Sequence, residues 1–242
     1  MKRLILPLLI SVLVLSFLSI SSVYAQNEVK KTEGFGGVWI GSTKFTNGED
    51  KGINVGSFFF VEVKPDIYFG YAISGSTEIS VENYLDLTSQ ESYTMTGVAE
   101  VIPLEVNIAY VKDIGSFRGW VGCGLSAAFA NISVTIDGGY IDPLGDYIVY
   151  HGKATGSSEV TYGGQVFAGA EYIFGSVKFI GGNWGMMVQF KYQYLSEVTF
   201  KYSGNVEATN LSTGNNTSVS FSDSFKEDLS NTSVVVGLTY HF

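Results

Sequence analysis

The sequence of 242 residues has a single cysteine, Cys123, so no disulfide can form within the chain. It has two histidines, and its cysteine, histidine and carboxylate residues show no metal-ligand spacing, so we expect neither a metal nor another cofactor. Beyond residue 25, no apolar run is long enough to cross a bilayer as a helix. Because 45% of the residues are nevertheless hydrophobic, the apolar side chains must be distributed by alternation with other residues.

The start of the sequence has the pattern of a secretory signal peptide. Lys2 and Arg3 precede an apolar run over residues 4–20, and Ala25 offers a small residue at the cleavage position. A retained membrane anchor is the alternative, since the run is long for a signal peptide. The expected organisation is a cleavable signal helix over 1–25, a short N-terminal segment over 26–33 and one domain over 34–242.

Basic residues are scarce in the part of the chain that would remain after cleavage. Lys2 and Arg3 account for two of the 14 basic residues, which leaves 12 against 23 acidic residues and a net charge of −11. Nucleic acid is therefore not expected as a partner, because its phosphates attract cations. An acidic balance fits an exported protein that faces water.

The segment VTYGGQVFAGAEYIF, residues 160–174, alternates with a period of two, which is the period of a β-strand. Its second face is small or polar, and the same pattern recurs in residues 67–78, 100–111, 119–130 and 185–195. The first face has aliphatic side chains with aromatic ones near both ends: Val160, Tyr162, Gly164, Val166, Ala168, Ala170, Tyr172 and Phe174.

These faces favour a membrane barrel. Small residues suit a crowded concave interior, and aromatic residues at both ends of the apolar face suit the two interfaces of a bilayer. A soluble sandwich, in which the apolar face points inward, is the alternative. We predict an all-β fold, an eight-stranded antiparallel up-and-down transmembrane β-barrel. Its predicted strands cover residues 35–46, 54–64, 67–80, 96–111, 118–131, 158–174, 184–200 and 228–242.

The predicted connections alternate in length. The long ones, rich in Ser, Thr, Asn, Gly and Asp, cover residues 81–95, 132–157 and 201–227. With an even strand number, this asymmetry places both mature termini on the periplasmic side and the long loops outside. The last strand should pair with the first, because an open sheet edge cannot be satisfied within a bilayer. Residues 201–227 still alternate weakly, so an exposed hairpin edge could bind partner strands.

Three stretches resemble the small outer-membrane β-barrel proteins of the OmpA, OmpX and OmpW type. VIPLEVNIAYVKDIGSFRGWVGCGLSAAF, residues 101–129, is similar to their fourth strand, short turn and fifth strand. QVFAGAEYIF, residues 165–174, is similar to their sixth strand, and GLTYHF, residues 237–242, to their sorting signal. The resemblance implies the cell outer membrane as location, with its lipid and lipopolysaccharide as partners. The roles that it implies are varied: adhesion, membrane integrity, small-molecule passage and occasionally lipid A enzymology.

Two sets of residues are candidates for function. The residues that the resemblance implies as a C-terminal signal for barrel-assembly machinery are predicted to face lipid: Val234, Val236, Leu238, Tyr240 and Phe242. The other set is a polar network in the lumen, where buried charges must be paired or hydrated, and Lys191 is expected to pair with Glu171 or Glu105. The full set for this network is Glu62, Glu78, Glu105, Asn107, Gln165, Glu171, Gln189, Lys191 and Gln193.

The sequence favours a non-enzymatic protein with a structural or surface-interaction role and a lumen filled by side chains, as expected for eight strands. An extracellular partner at the long loops is part of this hypothesis. A narrow channel for small or apolar molecules is the alternative. A lipid A-modifying enzyme is a third hypothesis, because His151 lies near Ser157, Ser158 and Glu159 in the sequence, and a nucleophilic serine needs a histidine base.

Overall fold

The computed structural model describes residues 33–46, 52–86, 91–176 and 183–242. For residues 78–86, Glu91, Ser176 and Asp223 the backbone alone is described. The predicted signal helix and most of the N-terminal segment lie outside the described residues. No helix that is long and apolar enough to cross a membrane occurs within the described ranges.

The described chain forms one antiparallel sheet of eleven strands. The strands are β1 (Gly34–Phe45), β2 (Gly52–Lys64), β3 (Ile67–Asp86), β4 (Glu91–Ile114), β5 (Phe117–Ile141), β6 (Tyr147–Ser158), β7 (Thr161–Ser176), β8 (Asn183–Leu195), β9 (Val198–Asn210), β10 (Asn216–Glu227) and β11 (Asn231–His241).

Eight of the strands close into a ring in the order β1, β2, β3, β4, β5, β7, β8 and β11. The seam pairs β1 with β11 along its whole length, from Phe35 opposite His241 to Phe45 opposite Asn231. Strand β5 pairs with β7 on the far side of the ring. The predicted eight-stranded up-and-down barrel is confirmed, and so is the pairing of the last strand with the first.

Most of the three segments expected to be long loops lies in strands. The prediction of loops is wrong for the described parts of residues 81–95 and 132–157, whereas the weak alternation noted in residues 201–227 does correspond to a hairpin of strands. Residues 81–86 extend β3 and residues 91–95 extend β4. Residues 132–141 extend β5, residues 147–157 lie in β6, and residues 201–210 and 216–227 lie in β9 and β10. The extensions make a six-stranded sheet in the order β10, β9, β6, β5, β4, β3 beyond one end of the barrel. We call this sheet the crown. The opposite end, where both ends of the domain and the turns after Lys64 and Ile114 lie, is the turn end.

The outer face of the barrel is an apolar belt. Its large side chains are exposed, from Phe129 at 39% to Val166 at 56% and Leu125 at 74%. Trp184, Tyr240 and Phe242 form an aromatic group on this face at the turn end, with Trp184 and Tyr240 rings 5.2 Å apart. Water-soluble proteins rarely expose so large a continuous apolar surface, so the belt faces lipid and the barrel spans a membrane.

Strand β5 crosses from the barrel into the crown without interruption, and the polarity of its outward and inward faces is exchanged on the way. Within the barrel its outward side chains are apolar, as at Leu125 and Phe129, while Ser126 points inward. Beyond Phe129 the outward positions become polar, beginning with Asn131, and the inward ones become apolar, beginning with Ile132. The belt therefore ends between Phe129 and Asn131.

A β-bulge marks the same boundary on the neighbouring strand. Ala128 lies opposite Thr161 of β7, whereas Asn131 lies opposite Ser157 of β6. Strand β5 thus advances three residues while its partner advances four, so one extra residue lies near Val160. A bulge of this kind reverses which face each later side chain occupies, and it divides β6 from β7.

Candidate functional site

The lumen is filled in three layers, the first of which is aromatic and lies toward the turn end. Phe35 is fully buried, its ring stacks 5.5 Å from that of Phe60, and the Tyr68 ring lies 5.6 Å away. The sequence interpretation missed this layer, because it treated the inner face as small or polar. The buried cluster consists of Phe35, Trp39, Phe58, Phe60, Tyr68, Ala72, Ala109, Val111, Trp120, Phe167, Met187 and Val235.

The middle layer is polar and contains the buried ion pair. Lys191 Nζ lies 2.5 Å from Glu105 Oε1, and both residues are only 4% exposed. Gln165 Nε2 donates to Glu105 Oε2 at 3.0 Å and to Asn107 Oδ1 at 2.7 Å. Of the two partners expected for Lys191, the structure brings Glu105 to it. These four residues come from β4, β7 and β8, so the network joins three strands of the ring.

Gln193 extends the polar layer toward the crown. Its Oε1 accepts a hydrogen bond of 3.3 Å from Asn231 Nδ2 of β11, and both side chains are buried. Trp39 Nε1 donates to Asn54 Oδ1 at 2.7 Å on the opposite wall, and Asn54 Nδ2 donates to Ser76 Oγ at 2.8 Å. Strands on both sides of the seam therefore contribute to the polar interior.

The third layer is apolar and lies where the barrel meets the crown. Partly buried Ile132 and Phe225 pack against it from the crown. Apolar side chains therefore pack on both sides of the polar layer. The layer consists of Phe45, Val101, Ala128, Ala130, Leu195, Val198, Phe200 and Leu229.

A second charged cluster surrounds Arg118 at the turn end. The Arg118 guanidinium donates from Nε and Nη2 to the two carboxylate oxygens of Asp113, at 2.6 and 2.8 Å. Its Nη1 lies 3.0 Å from His241 Nδ1, which can accept only as the tautomer protonated on Nε2. Thr239 Oγ1 donates to Glu171 Oε2 at 2.6 Å, and Arg118 Nε lies 3.7 Å from Glu171 Oε1. Glu171 therefore belongs to the Arg118 cluster and not to Lys191.

Gln189 and Glu62, two of the other predicted network residues, have hydrogen-bond partners outside the Lys191 group. Gln189 is partly buried and accepts a hydrogen bond of 3.1 Å from Trp120 Nε1. Glu62 lies at the turn end, where its Oε1 accepts from the Asp66 amide at 3.2 Å, so the prediction of a single lumen network does not hold for Glu62. The side chain of Glu78 lies outside the described residues.

The C-terminal residues lie on the outer face of β11 as expected. Val234, Val236 and Leu238 are about half exposed within the belt, at 51%, 55% and 48%. Tyr240 and Phe242 are partly buried, and the Phe242 ring stacks 5.3 Å from that of Phe59 on β2. These side chains thus link the outer faces of three strands at the seam.

The outer face of the crown holds a polar groove with one histidine. His151 on β6 lies opposite Asp137 on β5, and its Nδ1 is 2.5 Å from Asp137 Oδ1. Lys153, Asn205 and Glu207 line the same groove, which has a volume of about 660 Å³. No cluster of three or more metal-ligating side chains occurs among the described residues.

The serines near His151 in sequence are not near it in space. Ser158 Oγ accepts from the Ala130 amide at 2.9 Å, and Glu159 Oε1 lies 3.4 Å from Lys201 Nζ. His151 is six positions from Ser157 along an extended strand, or about 20 Å at 3.3 Å per residue. The triad considered from the sequence is therefore not assembled.

The far end of the crown is organised by a contact between two hairpin loops. Asn210 Nδ2 donates to Asp146 Oδ2 at 2.9 Å, and the Leu211 amide donates to the Tyr147 carbonyl at 3.0 Å. The hydrogen bonds from Asn210 and Ser212 lower the pKa of the Asp146 carboxyl. Both loops are thereby held against each other above β6 and β9.

The inner face of the crown continues the lumen wall and is largely apolar. Phe200 and Phe225 stack with ring centroids 5.1 Å apart, and Tyr202 lies edge-on to Phe225 at 5.8 Å. Phe221 follows on β10, 6.1 Å from the Tyr202 ring. Unlike the barrel, the crown is not a closed ring within the part of the chain that the structure describes, because its edge strands β3 and β10 do not pair with each other there.

The structure is similar to solved outer-membrane proteins. A major outer membrane protein from Thermus thermophilus is 15% identical with a TM-score of 0.46, and the match covers 87% of this chain and 99% of that one. Neisserial surface protein A is 12% identical with a TM-score of 0.44, covering 88% and 98%. OprG from Pseudomonas aeruginosa is 12% identical with a TM-score of 0.39, covering 87% and 95%.

Similarity at this level concerns the fold alone. Comparison with protein-family models finds no match, and comparison with curated proteins finds none either. The closed ring of eight antiparallel strands and its lipid-facing belt are the architecture of a small outer-membrane β-barrel. The belt and the closed ring show a barrel that spans a lipid bilayer. The outer membrane as its location stays a prediction.

Proposed function

We propose that the protein is a non-enzymatic surface-interaction barrel that binds an extended segment of a partner protein at the free edge of its crown. Strand β10 carries this proposal. All twelve of its residues pair with β9 on one side, and no described strand pairs with it on the other. An exposed edge offers unpaired N–H and C=O groups, with which an added strand forms a ladder.

The sequence of β10 supports this role. Soluble proteins commonly protect an edge strand with proline, charged side chains or a bulge. The stretch NTSVSFS, residues 216–222, has no proline and no charge, and its pairing with β9 has no bulge. Ser218, Ser220 and Ser222 are small and exposed on the outer face, so they leave the backbone accessible. The crown would face the outside of the cell, where partners are available.

A proline scan of the edge tests the proposal. Random peptides of 20 residues displayed on phage would be selected against the protein in lipid nanodiscs, and clones would be compared on Ser220→Pro and Phe221→Pro. Successive N–H groups of a strand point to opposite sides, so one of the two prolines removes a donor from the free edge while leaving the pairing with β9 intact. We expect that variant to lose binding, whereas Ser203→Ala on the internal strand β9 retains it. Clones that bind both proline variants as well as the wild type would contradict the proposal.

The barrel itself would act as an anchor and not as a channel. The polar layer around Lys191 and Glu105 has apolar side chains packed on both sides, and an eight-stranded barrel leaves little room beyond its side chains. We expect no steady conductance from the refolded protein in planar bilayers. Steady single-channel currents that change in Lys191→Ala or Glu105→Ala would support the narrow-channel hypothesis instead.

The groove of His151 supports the non-enzymatic part of the proposal. Among the described residues, the His151 ring contacts the Asp137 carboxylate, and both side chains are about 60% exposed to solvent. Catalysis by a serine would need a hydroxyl within hydrogen-bonding distance of the second ring nitrogen. We expect His151→Ala to leave the lipid A profile of producing cells unchanged, and an altered profile would favour the enzyme hypothesis.

A further inference from the structure

Among the described residues, the crown has a gap above two strands of the barrel, whose connection at residues 47–51 lies outside the described part. The barrel wall has β2 and β1 between β3 and β11, but β1 ends at Phe45 and β2 begins at Gly52. The register of β2 with β3 ends at Thr77, so residues 78–86 of β3 have no described partner on that side. Strand β10 continues upward from β11 and bounds the gap on its other side. We call this gap the notch.

The direction of the two edges limits what can fill the notch. All six crown strands are antiparallel to their neighbours. Because the number is even, the edge strands run in opposite directions, β3 away from the barrel and β10 toward it. One inserted strand would be antiparallel to one edge and parallel to the other. Two connected antiparallel strands, a β-hairpin, continue the antiparallel ladder on both edges.

The dimensions agree with this count. Strands β2 and β1 bridge β3 and β11 one level below, which corresponds to three interstrand spacings, or about 14 Å. Residues 78–86 of β3 and residues 216–222 of β10 border the notch, and nine residues extend about 30 Å. A hairpin with strands of seven to nine residues would therefore complete a ring of eight strands above the barrel.

The side chains at the β10 edge indicate the pattern of such a hairpin. Phe221 and Phe225 are partly buried on the inner face, and Val219 beside them is 59% exposed. On the outer face the corresponding positions are serines, from Ser218 to Ser224. A hairpin with apolar side chains inward and polar ones outward would cover the exposed inner face and leave the outer face wet.

We propose that the notch is the docking site for a β-hairpin of a partner protein, which pairs with β10 and β3 at once and closes the crown. This inference rests on the proposed function, since it names the shape of the segment that the β10 edge would bind. It also assigns a role to the free edge of β3, which single-strand binding does not use.

The test uses hairpin peptides as the probe. A phage library with a fixed Asn-Gly turn, alternating apolar and polar positions and strands of eight residues would be selected against the protein in nanodiscs. Binding of enriched peptides would be measured on four variants, Ser220→Pro and Phe221→Pro on β10 and Ser80→Pro and Val81→Pro on β3. On each strand, one of the two prolines removes an N–H donor from the free edge and places its ring in the ladder with the peptide. We expect that variant to weaken binding about tenfold or more.

A second measurement does not depend on the folding of the variants. Hydrogen exchange of the wild type with a bound hairpin peptide should slow at amides of both residues 78–86 and Asn216–Glu227. Protection of β10 alone, with binding lost only in a β10 variant, would overturn the hairpin inference while leaving the proposed function in place. If no selected peptide depends on either edge and neither edge is protected, the proposed function fails as well.

Discussion

The barrel and the crown are built from the same sheet but follow opposite rules. In the barrel the outward side chains of β5 are apolar, as at Leu125, and the crown turns polar side chains outward from Asn131 on. The strand does not change its backbone geometry at this point, so what changes is the medium outside it. Alternation alone therefore identifies strands, and the direction of the alternation identifies the solvent on each side.

The two regions also differ in how they treat their edges and interiors. The barrel is closed, because each unsatisfied backbone group at an open sheet edge in lipid would cost several kcal/mol of free energy. The crown lies in water, which can satisfy its free edges, and so β3 and β10 can remain unpaired. Closure thus satisfies the backbone of the part in the membrane, and the open edges of the part in water are those to which the proposed partner would bind.

The largest expected contrast concerns ion pairs. Lys191→Met should lower the free energy of unfolding by about 3–5 kcal/mol, because it leaves the Glu105 carboxylate buried without its partner. In the crown, Lys201→Met breaks the pair with Glu159. The Lys201 and Glu159 side chains are 74% and 82% exposed, so this change should lower the free energy of unfolding by less than about 1 kcal/mol. Urea unfolding in lipid vesicles, followed by tryptophan fluorescence, measures both. Combining Lys191→Met with Glu105→Gln should recover much of the loss, and equal losses at the two sites would contradict the contrast.

Charge on the outer face gives the next largest contrast. Val188→Arg places a cation in the lipid-facing belt and should cost about 2–4 kcal/mol if the position lies near the bilayer midplane. Ser203→Arg lies on the outer face of the crown and should change stability by no more than about 0.5 kcal/mol. The same unfolding experiment compares them, and a tolerated Val188→Arg would count against the belt.

Packing density should separate the regions by a smaller amount. A Cβ at Gly122 would clash with the Phe167 ring and with the Ile108 carbonyl oxygen, both inside the packed barrel. We expect Gly122→Ala to cost about 1–3 kcal/mol through overpacking. A Cβ at Gly152 in the crown would meet methyl groups of Ile136 and Val206, which can move toward the open inner face, so its cost should be smaller. Similar losses in both variants would show that the crown interior is as rigid as the lumen.

The smallest expected effect is a pH response confined to the tip of the crown. The pKa of Asp146 is lowered by the hydrogen bond from Asn210, so this contact is fully formed above the ordinary carboxyl pKa and is lost as the pH falls through the lowered value. Amide exchange at Leu211 should become faster on acidification while barrel amides stay protected. Asp146→Asn should remove this pH dependence, and a response that persists in the variant would assign it to another group.

Much of the barrel could be predicted from the sequence because one rule covers it. A period of two with aromatic ends specifies strands that face lipid, and closure follows from the cost of edges in a bilayer. The sequence predicts that Lys191 pairs with one of two carboxylates, Glu105 or Glu171, because few residues of the predicted lumen are charged. Choosing Glu105 over Glu171 required the register, since Arg118 and Thr239 hold Glu171 elsewhere.

The aromatic layer and the crown could not be predicted by the same rule. Phe58, Phe59 and Phe60 are consecutive, so they hide the alternation at the place where two of them point into the lumen. A usable signal existed in β1, where Phe35 and Trp39 share one face with glycines that leave room for rings. The sequence predicts loops for most of the crown, because Ser, Thr and Asn dominate its outward positions. Inward apolar residues such as Val134 preserve the period of two, and in residues 201–227 the weak alternation already indicates strands.

The reversal along β5 offers the most direct test of the account. Single cysteines for spin labels would replace alternate outward residues from Val121 to Asp137, in a background that has Cys123→Ser, and the protein would be reconstituted in lipid bilayers. Accessibility to oxygen, which partitions into lipid, would be compared with accessibility to a water-soluble nickel complex. We predict high oxygen accessibility through Phe129 and a switch to nickel accessibility from Asn131 on. Nickel accessibility at all positions, or no switch between these two residues, would contradict the assignment of barrel to membrane and crown to water.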